Sequence, residues 1–94
     1  MEITVRLPAV LRPAAADQAT LTLTLPEDAT LGTALDLLAT RYPLLARRLR
    51  DERSRVRRYV NIYLDGEDTR RLAGVETPLP AGATVEVIPS VAGG

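Results

Sequence analysis

Four stretches of the chain alternate polar and apolar residues with period two, the pattern of a strand that buries one face. Glu2-Ile3-Thr4-Val5-Arg6-Leu7 predicts a first strand over residues 2–7. Thr20-Leu21-Thr22-Leu23-Thr24-Leu25 is the cleanest, with its Leu residues on one face and its Thr residues on the other, and predicts a second strand antiparallel to the first. Between them, residues 8–18 hold Pro8 and Pro13 and show no periodicity, so they read as an open hairpin loop. Tyr59-Val60-Asn61-Ile62-Tyr63-Leu64 alternates again, with Val60, Ile62 and Leu64 on one face, and the following Asp65-Gly66 tolerates the positive φ of a tight turn. Thr84-Val85-Glu86-Val87-Ile88 is the last strand, and Pro89, which has no N–H to donate, is expected to end its pairing.

One stretch changes period. Leu31, Ala34, Leu35 and Leu38 recur at helical spacing behind Thr30, whose hydroxyl suits an N-cap, so a helix is predicted from near Leu31. Pro43 limits it, because the residue before a proline avoids helical geometry and the proline cannot donate an interior hydrogen bond. A short further turn of helix is predicted over residues 44–49. Residues 67–78 are polar and irregular, with Leu72 and Val75 as the expected anchors.

Hairpin, helix, strand, irregular crossing and final strand make an α+β layout in which one apolar helix stripe covers one sheet face. The β-grasp, or ubiquitin-like roll, has this order: a mixed sheet of four to five strands with one main helix packed on one face. A single domain is expected over residues 1–89, and residues 90–94 are expected to form a flexible C-terminal tail with nothing to pack against.

Composition narrows the chemistry. A chain of 94 residues has room for one core. It has no Cys and no His, which removes thiolate nucleophiles, the usual metal ligands and the usual general base near neutral pH. Its 12 basic residues are all Arg, so Schiff-base chemistry and lysine conjugation on this chain are excluded as well. No apolar run approaches the roughly 18 residues of a membrane span and no signal segment is visible, so a cytoplasmic protein that acts on no membrane is expected. A self-contained enzyme is not expected. Net neutrality also hides a polarised chain: residues 41–58 carry eight Arg against Asp51 and Glu52, a local charge of +6 that the remaining residues cancel.

The last two residues are Gly93 and Gly94. At about 7% Gly per position such an ending arises by chance about once in 200 chains, so the pair gains meaning only from its setting. Here it follows a Pro that closes the last strand. At roughly 3.3 Å per residue, Pro89 to Gly94 spans on the order of 20 Å, long enough to enter a buried active site while the body stays outside. Glycine removes the Cβ that a narrow channel would reject. A carboxylate there is a poor electrophile until ATP converts it to an acyl adenylate, which a sulfur donor can attack to leave a thiocarboxylate.

The stretch Arg58-Tyr59-Val60-Asn61-Ile62-Tyr63-Leu64-Asp65-Gly66-Glu67-Asp68, the ending Val87-Ile88-Pro89-Ser90-Val91-Ala92-Gly93-Gly94 and Leu11-Arg12-Pro13 in the first loop resemble the MoaD/ThiS family of ubiquitin-like sulfur carriers. The resemblance runs over essentially the whole chain. It implies that Gly94 bears the carboxylate that an E1-like adenylyltransferase/sulfurtransferase adenylates and thiolates. It implies further that Gly93 gives clearance in that partner's channel and that Ala92 and Val91 line the inserted tail. Because the sequence ends at Gly94, no trimming is expected. Within the family, Val60-Asn61-Ile62-Tyr63 and the acidic residues after it favour the branch that supplies sulfur for cysteine synthesis. There the thiocarboxylate attacks an aminoacrylate on a PLP-dependent sulfur-accepting synthase and a metalloprotease releases cysteine. ATP, zinc and PLP are expected on those partners and no cofactor on this chain. The alternatives are a small subunit of molybdopterin synthase and a carrier for another sulfur-containing metabolite.

Other features remain open. The Arg-rich segment from Arg47 to Arg58 reads either as a dock for an acidic partner or as a solvated loop. Arg58, Tyr59, Asn61 and Tyr63 are candidates for partner docking, since Tyr59, Asn61 and Tyr63 share the strand face opposite the core; the other reading packs that face beneath the Arg-rich loop. Three aromatic residues and neutral charge argue against a nucleic-acid binder. Glu67 and Asp68 are candidates to pair with Arg70 or Arg71, or with an Arg of a partner, since local pairing is a weak source of stability when exposed. Asp65 and Glu67 lack the third ligand a metal site needs.

Overall fold

In the computed structural model, which describes residues 1–89, the alternating segments become strands with the expected faces inward. β1 (Glu2–Arg6) buries Ile3 and Val5, and β2 (Thr20–Thr24) buries Leu21 and Leu23. They pair antiparallel with Ile3 opposite Leu23 and Val5 opposite Leu21, so each inward row is aliphatic. β3 (Val60–Leu64), β4 (Glu67–Asp68) and β5 (Thr84–Pro89) complete a five-stranded sheet in the order β2-β1-β5-β3-β4. The central pair β1·β5 is parallel and the other pairs are antiparallel, which makes the sheet mixed. β5 thus lies in the middle, with Val85 and Val87 buried, and its end points the chain out beside β3. Pro89 is still in register with Val60, one residue further than expected, because a proline at the end of a strand can keep its place without donating.

α1 (Leu31–Arg41) starts at Thr30, whose hydroxyl accepts from the Thr33 N–H while the Thr33 hydroxyl accepts from the Thr30 N–H. This reciprocal cap satisfies two donors at the helix start. Leu31, Ala34, Leu35 and Leu38 form its buried stripe against the sheet. Tyr42 closes α1, and Pro43 opens α2 (Pro43–Leu49) as its first residue, where a missing N–H costs nothing. α2 buries Leu45 and Leu49. The chain is a β-grasp, with two helices in place of one continuous helix on the inner face. No helix among the described residues is long and apolar enough to cross a membrane.

Two connections differ from expectation. Residues 8–18 are not an open loop: Ala9–Ala15 is a 3-10 helix that puts Leu11 and Ala15, four residues apart, into the core and packs on α2. In the crossing after β4, Leu72 and Val75 are 40% and 37% exposed and anchor little. The anchors are Thr69, Thr77 and Leu79, all buried. Thr77 donates its hydroxyl to the Gly74 carbonyl (2.7 Å) and accepts from the Ala73 N–H, while its own carbonyl accepts from Leu31 N–H. The crossing is therefore tied to the start of α1. Gly32 makes a close approach there: a Cβ would stand 3.2 Å from the Val75 carbonyl oxygen, so the crossing would have to give by a few tenths of an ångström. Thr69 donates to the Ile62 carbonyl at 2.8 Å inside the protein. Thr69→Val keeps the shape, removes that donor and leaves the carbonyl unpaired, with an expected loss of about 1–3 kcal/mol in denaturant unfolding.

Candidate functional site: the outer sheet face and the root of the tail

The face of the sheet turned away from α1 carries the alternate residues of each strand. Across it, Arg6, Glu86, Tyr63 and Asp68 form one row, each in register with the next. The next row toward the end of β5 sets Ile88 beside Asn61, and beyond it Pro89 stands beside Val60. Ile88 is 40% exposed, an uncommon apolar group on a sheet surface, and sits two residues before the segment that leaves the described structure. Sequence reading passed over it because one Ile at the end of an alternating strand looks like fraying.

Of the predicted docking residues, Arg58 and Tyr59 lie in the turn that enters β3, both exposed, so Tyr59 is outside the strand. Asn61 and Tyr63 are half-buried on the outer face. The Asn61 side-chain oxygen accepts from the Arg70 guanidinium. Val91, Ala92, Gly93 and Gly94 lie outside the described residues.

Arg70 is the residue that sequence reading assigned wrongly. Neither Glu67 nor Asp68 pairs with it; the Asp68 carboxylate instead accepts from the Arg70 backbone N–H at 2.9 Å. The Arg70 guanidinium donates to the carbonyls of Arg57 (3.2 Å), Arg58 (3.2 Å) and Val60 (2.7 Å) and to Asn61 Oδ1. The reason is geometric. β4 is two residues long, so most of the outer edge of β3 has no strand beside it, and edge carbonyls need donors. Thr69 caps Ile62 and Arg70 caps Val60 together with the turn before it, using the planar fork that only Arg has. Arg70→Ala is expected to cost about 1 kcal/mol and to speed amide exchange in residues 58–61.

The Arg-rich segment is folded, not a free run. Arg50 bonds Asp36 at 2.8 Å, and Arg57 donates from Nε to the Arg47 carbonyl. The Asp51 carboxylate accepts from the backbone N–H groups of Arg55 and Arg53, at 3.0 and 2.8 Å, and closes the loop. The Arg55 N–H above all, with that of Arg53 and the nearby Arg55 and Arg57 charges, holds the Asp51 carboxyl below its ordinary value. A depressed folded value means that this closure is present at neutral pH and is lost as pH falls through the depressed range. The Arg53 and Arg55 amide signals are expected to move together in that acid range, below the pH at which a free Asp titrates. Among the described residues, no three carboxylates come together as a metal site.

Residues 5–94 match the ThiS family. The chain belongs to that family of ubiquitin-like sulfur carriers. It is 35% identical to the sulfur carrier protein CysO of Mycobacterium tuberculosis over the full length of both chains. The crystal structure of that CysO superposes with a TM-score of 0.82 at 33% identity, covering 95% of this chain and 99% of that one. SAMP1 from Haloferax volcanii gives 0.85 at 28% identity over all of both chains. The Amycolatopsis orientalis BexX/CysO complex gives 0.73 at 27% identity, covering 98% of this chain and 99% of that one.

Proposed function

We propose that the chain carries sulfur as a thiocarboxylate on Gly94 and delivers it for cysteine synthesis, acting as a protein co-substrate and not as an enzyme. The observation that carries this reading is the family match that runs through residue 94, to the Gly93-Gly94 end itself. The full-length likeness to CysO supports the cysteine branch, and a CysO chain assembled with BexX supports action in complex with a partner enzyme.

The chemistry follows from the terminal carboxylate. Its oxygen attacks the α-phosphorus of ATP on an E1-like partner, releasing pyrophosphate and leaving an acyl adenylate. A sulfur donor attacks the carbonyl carbon, AMP departs, and a thiocarboxylate remains. A PLP-dependent synthase would supply the electrophilic carbon that accepts this sulfur, and a metalloprotease would hydrolyse the resulting amide with one water, releasing cysteine and returning the carboxylate to Gly94. This chain's residues supply the handle: Val60 and Pro89 hold the tail root at the sheet, Gly93, Ala92 and Val91 enter the partner channel, and Arg58, Tyr59, Asn61 and Tyr63 meet the partner surface. ATP, zinc and PLP belong to the partners.

Intact-mass measurement tests this. After incubation with ATP, an E1-like enzyme and a sulfide source, one oxygen is expected to be replaced by sulfur in the C-terminal peptide. An unchanged mass in the presence of a partner that loads another ThiS-family carrier overturns the reading. A stable heterotetramer on copurification assigns the chain instead to a molybdopterin synthase.

A further inference from the structure

The inner side of β3 carries a second surface, which meets the docking side at Arg58, Tyr59 and Arg70 and lies apart from any chemistry at Gly94. A pocket of about 200 Å³ opens between the start of α1, the loop at residues 54–56 and the crossing at residues 74–75. Its floor is core: Leu31, Val60 and Ile62, each almost fully buried. Val56 and Val75 form its walls, and the exposure of Val75 is the reason the pocket is open. It is below the roughly 300 Å³ at which small-molecule and cofactor sites begin, so it fits one side chain and not a nucleotide.

The pocket adjoins a wider groove of about 640 Å³ that shares Arg55, Val56 and Arg70 with it and continues past Arg57 and Arg58 to Tyr59. Four Arg line that groove against one carboxylate, Asp51. Asp51 is turned to the loop's own N–H groups, so it opposes a ligand's negative charge weakly. Arg55 and Arg58 are exposed and donate no side-chain hydrogen bond among the described residues; Arg55 Nε lies 3.9 Å from Asp51 Oδ2, a long exposed pair that holds it weakly. An aliphatic hole in a cationic rim selects by charge and by one apolar contact.

We propose that this pocket and groove dock an acidic segment of a partner protein, with one aliphatic side chain of that segment seated on Leu31, Val60 and Ile62. Charge complementarity supplies the occupant's class. Attraction to carboxylates brings the segment in and orients it, and the apolar anchor fixes its register. A nucleic acid fits less well, because the pocket walls are aliphatic and the groove offers Tyr59 as its one aromatic surface for stacking. Asn61 and Tyr63 point to the opposite face of β3, so a partner held here leaves those two uncovered while it occupies Arg58 and Tyr59.

The test is a titration of the isotope-labelled full chain with two synthetic peptides, one an Ile flanked by Asp and Glu on both sides, the other with Ala in place of that Ile. Saturable amide shifts are expected at Ser54, Val56, Val60, Gly74 and Val75, with the Ala peptide at least about tenfold weaker. Reversing Arg55→Glu together with Arg58→Glu, two exposed positions that leave the core intact, is expected to reduce binding about tenfold or more, whereas Arg48→Glu, outside the groove, retains it. Rising salt weakens the Ile peptide. Equal binding of the two peptides, no shifts with either, or shifts confined to Asn61, Tyr63 and Ile88 overturns the proposal. Tighter binding of an oligothymidine that shifts the same amides assigns the groove to nucleic acid and overturns it too.

Discussion

Deleting Gly94 is expected to abolish sulfur loading completely while leaving unfolding by heat or denaturant unchanged within about 0.5 kcal/mol. The separation follows from where the stabilising contacts are. Among the described residues, the sheet pairing and the buried cluster lie within residues 1–89, and the core they form is complete without position 94 being part of it. Its proposed work is to present a carboxylate free of any Cβ at the reacting position. Gly94→Ala restores a carboxylate but adds a methyl group where a narrow channel has no room, and it is expected to load far more slowly than the native chain. Intact mass after ATP and sulfide treatment reads both variants. Normal loading of the truncated chain refutes the carrier reading, and coincident melting curves show that the body was not damaged.

Leu38→Ala is expected to do the reverse and remove stability without touching the tail. Leu38 is 1% exposed on the inner stripe of α1, packed in the same cluster as Leu31, Leu35, Leu45 and the inward residues of the sheet. Truncating a buried Leu leaves a cavity that the surrounding packing only partly closes, a loss of about 2–5 kcal/mol. A domain of this length has about 5–14 kcal/mol of total stability, so the variant sits at the margin of folding. At about 4–8 °C per kcal/mol the melting temperature falls by at least about 10 °C. Leu44→Ala is the control. Leu44 lies on α2 and is 66% exposed, and its truncation is expected to stay within about 0.5 kcal/mol. Equal effects of the two substitutions in denaturant melts refute the assigned core.

The pattern-bearing segments were readable because their periods are local. Three Leu on one face of residues 20–25 and the Leu31, Leu35, Leu38 stripe need a buried side whatever they meet, and Thr30 and Pro43 punctuate the helices through their own backbone chemistry. The docking candidates Asn61 and Tyr63 fell on the outer face for the same reason of alternation. Residues 8–18 failed this test because a seven-residue 3-10 turn is too short to show a period, and its two buried residues, Leu11 and Ala15, count only once α2 is beside them. Leu72 and Val75 looked like anchors because they are apolar, yet the crossing is held by hydroxyls. Thr69 and Thr77 are buried for their hydrogen bonds, which no hydropathy pattern records.

From the amino-acid order alone came the β-grasp layout, the inward face of four of the five strands, the split of the helix at Pro43 and the diglycine end, because each follows from side-chain spacing or from the backbone limits of one residue. Tertiary structure decided the rest. Only folding sets β5 between β1 and β3, which puts Ile88 beside Asn61 and the tail root beside Val60. Only folding shows that β4 is too short to cover β3, so that Arg70, taken from its sequence neighbours as half of an ion pair, serves instead as donor to an unpaired edge. And only folding leaves an apolar pocket under the arginines, since residue 31, residues 56–60 and residue 75 are distant along the chain. Local periodicity constrains which side of an element is buried; which elements then become neighbours depends on long-range packing that no short window contains.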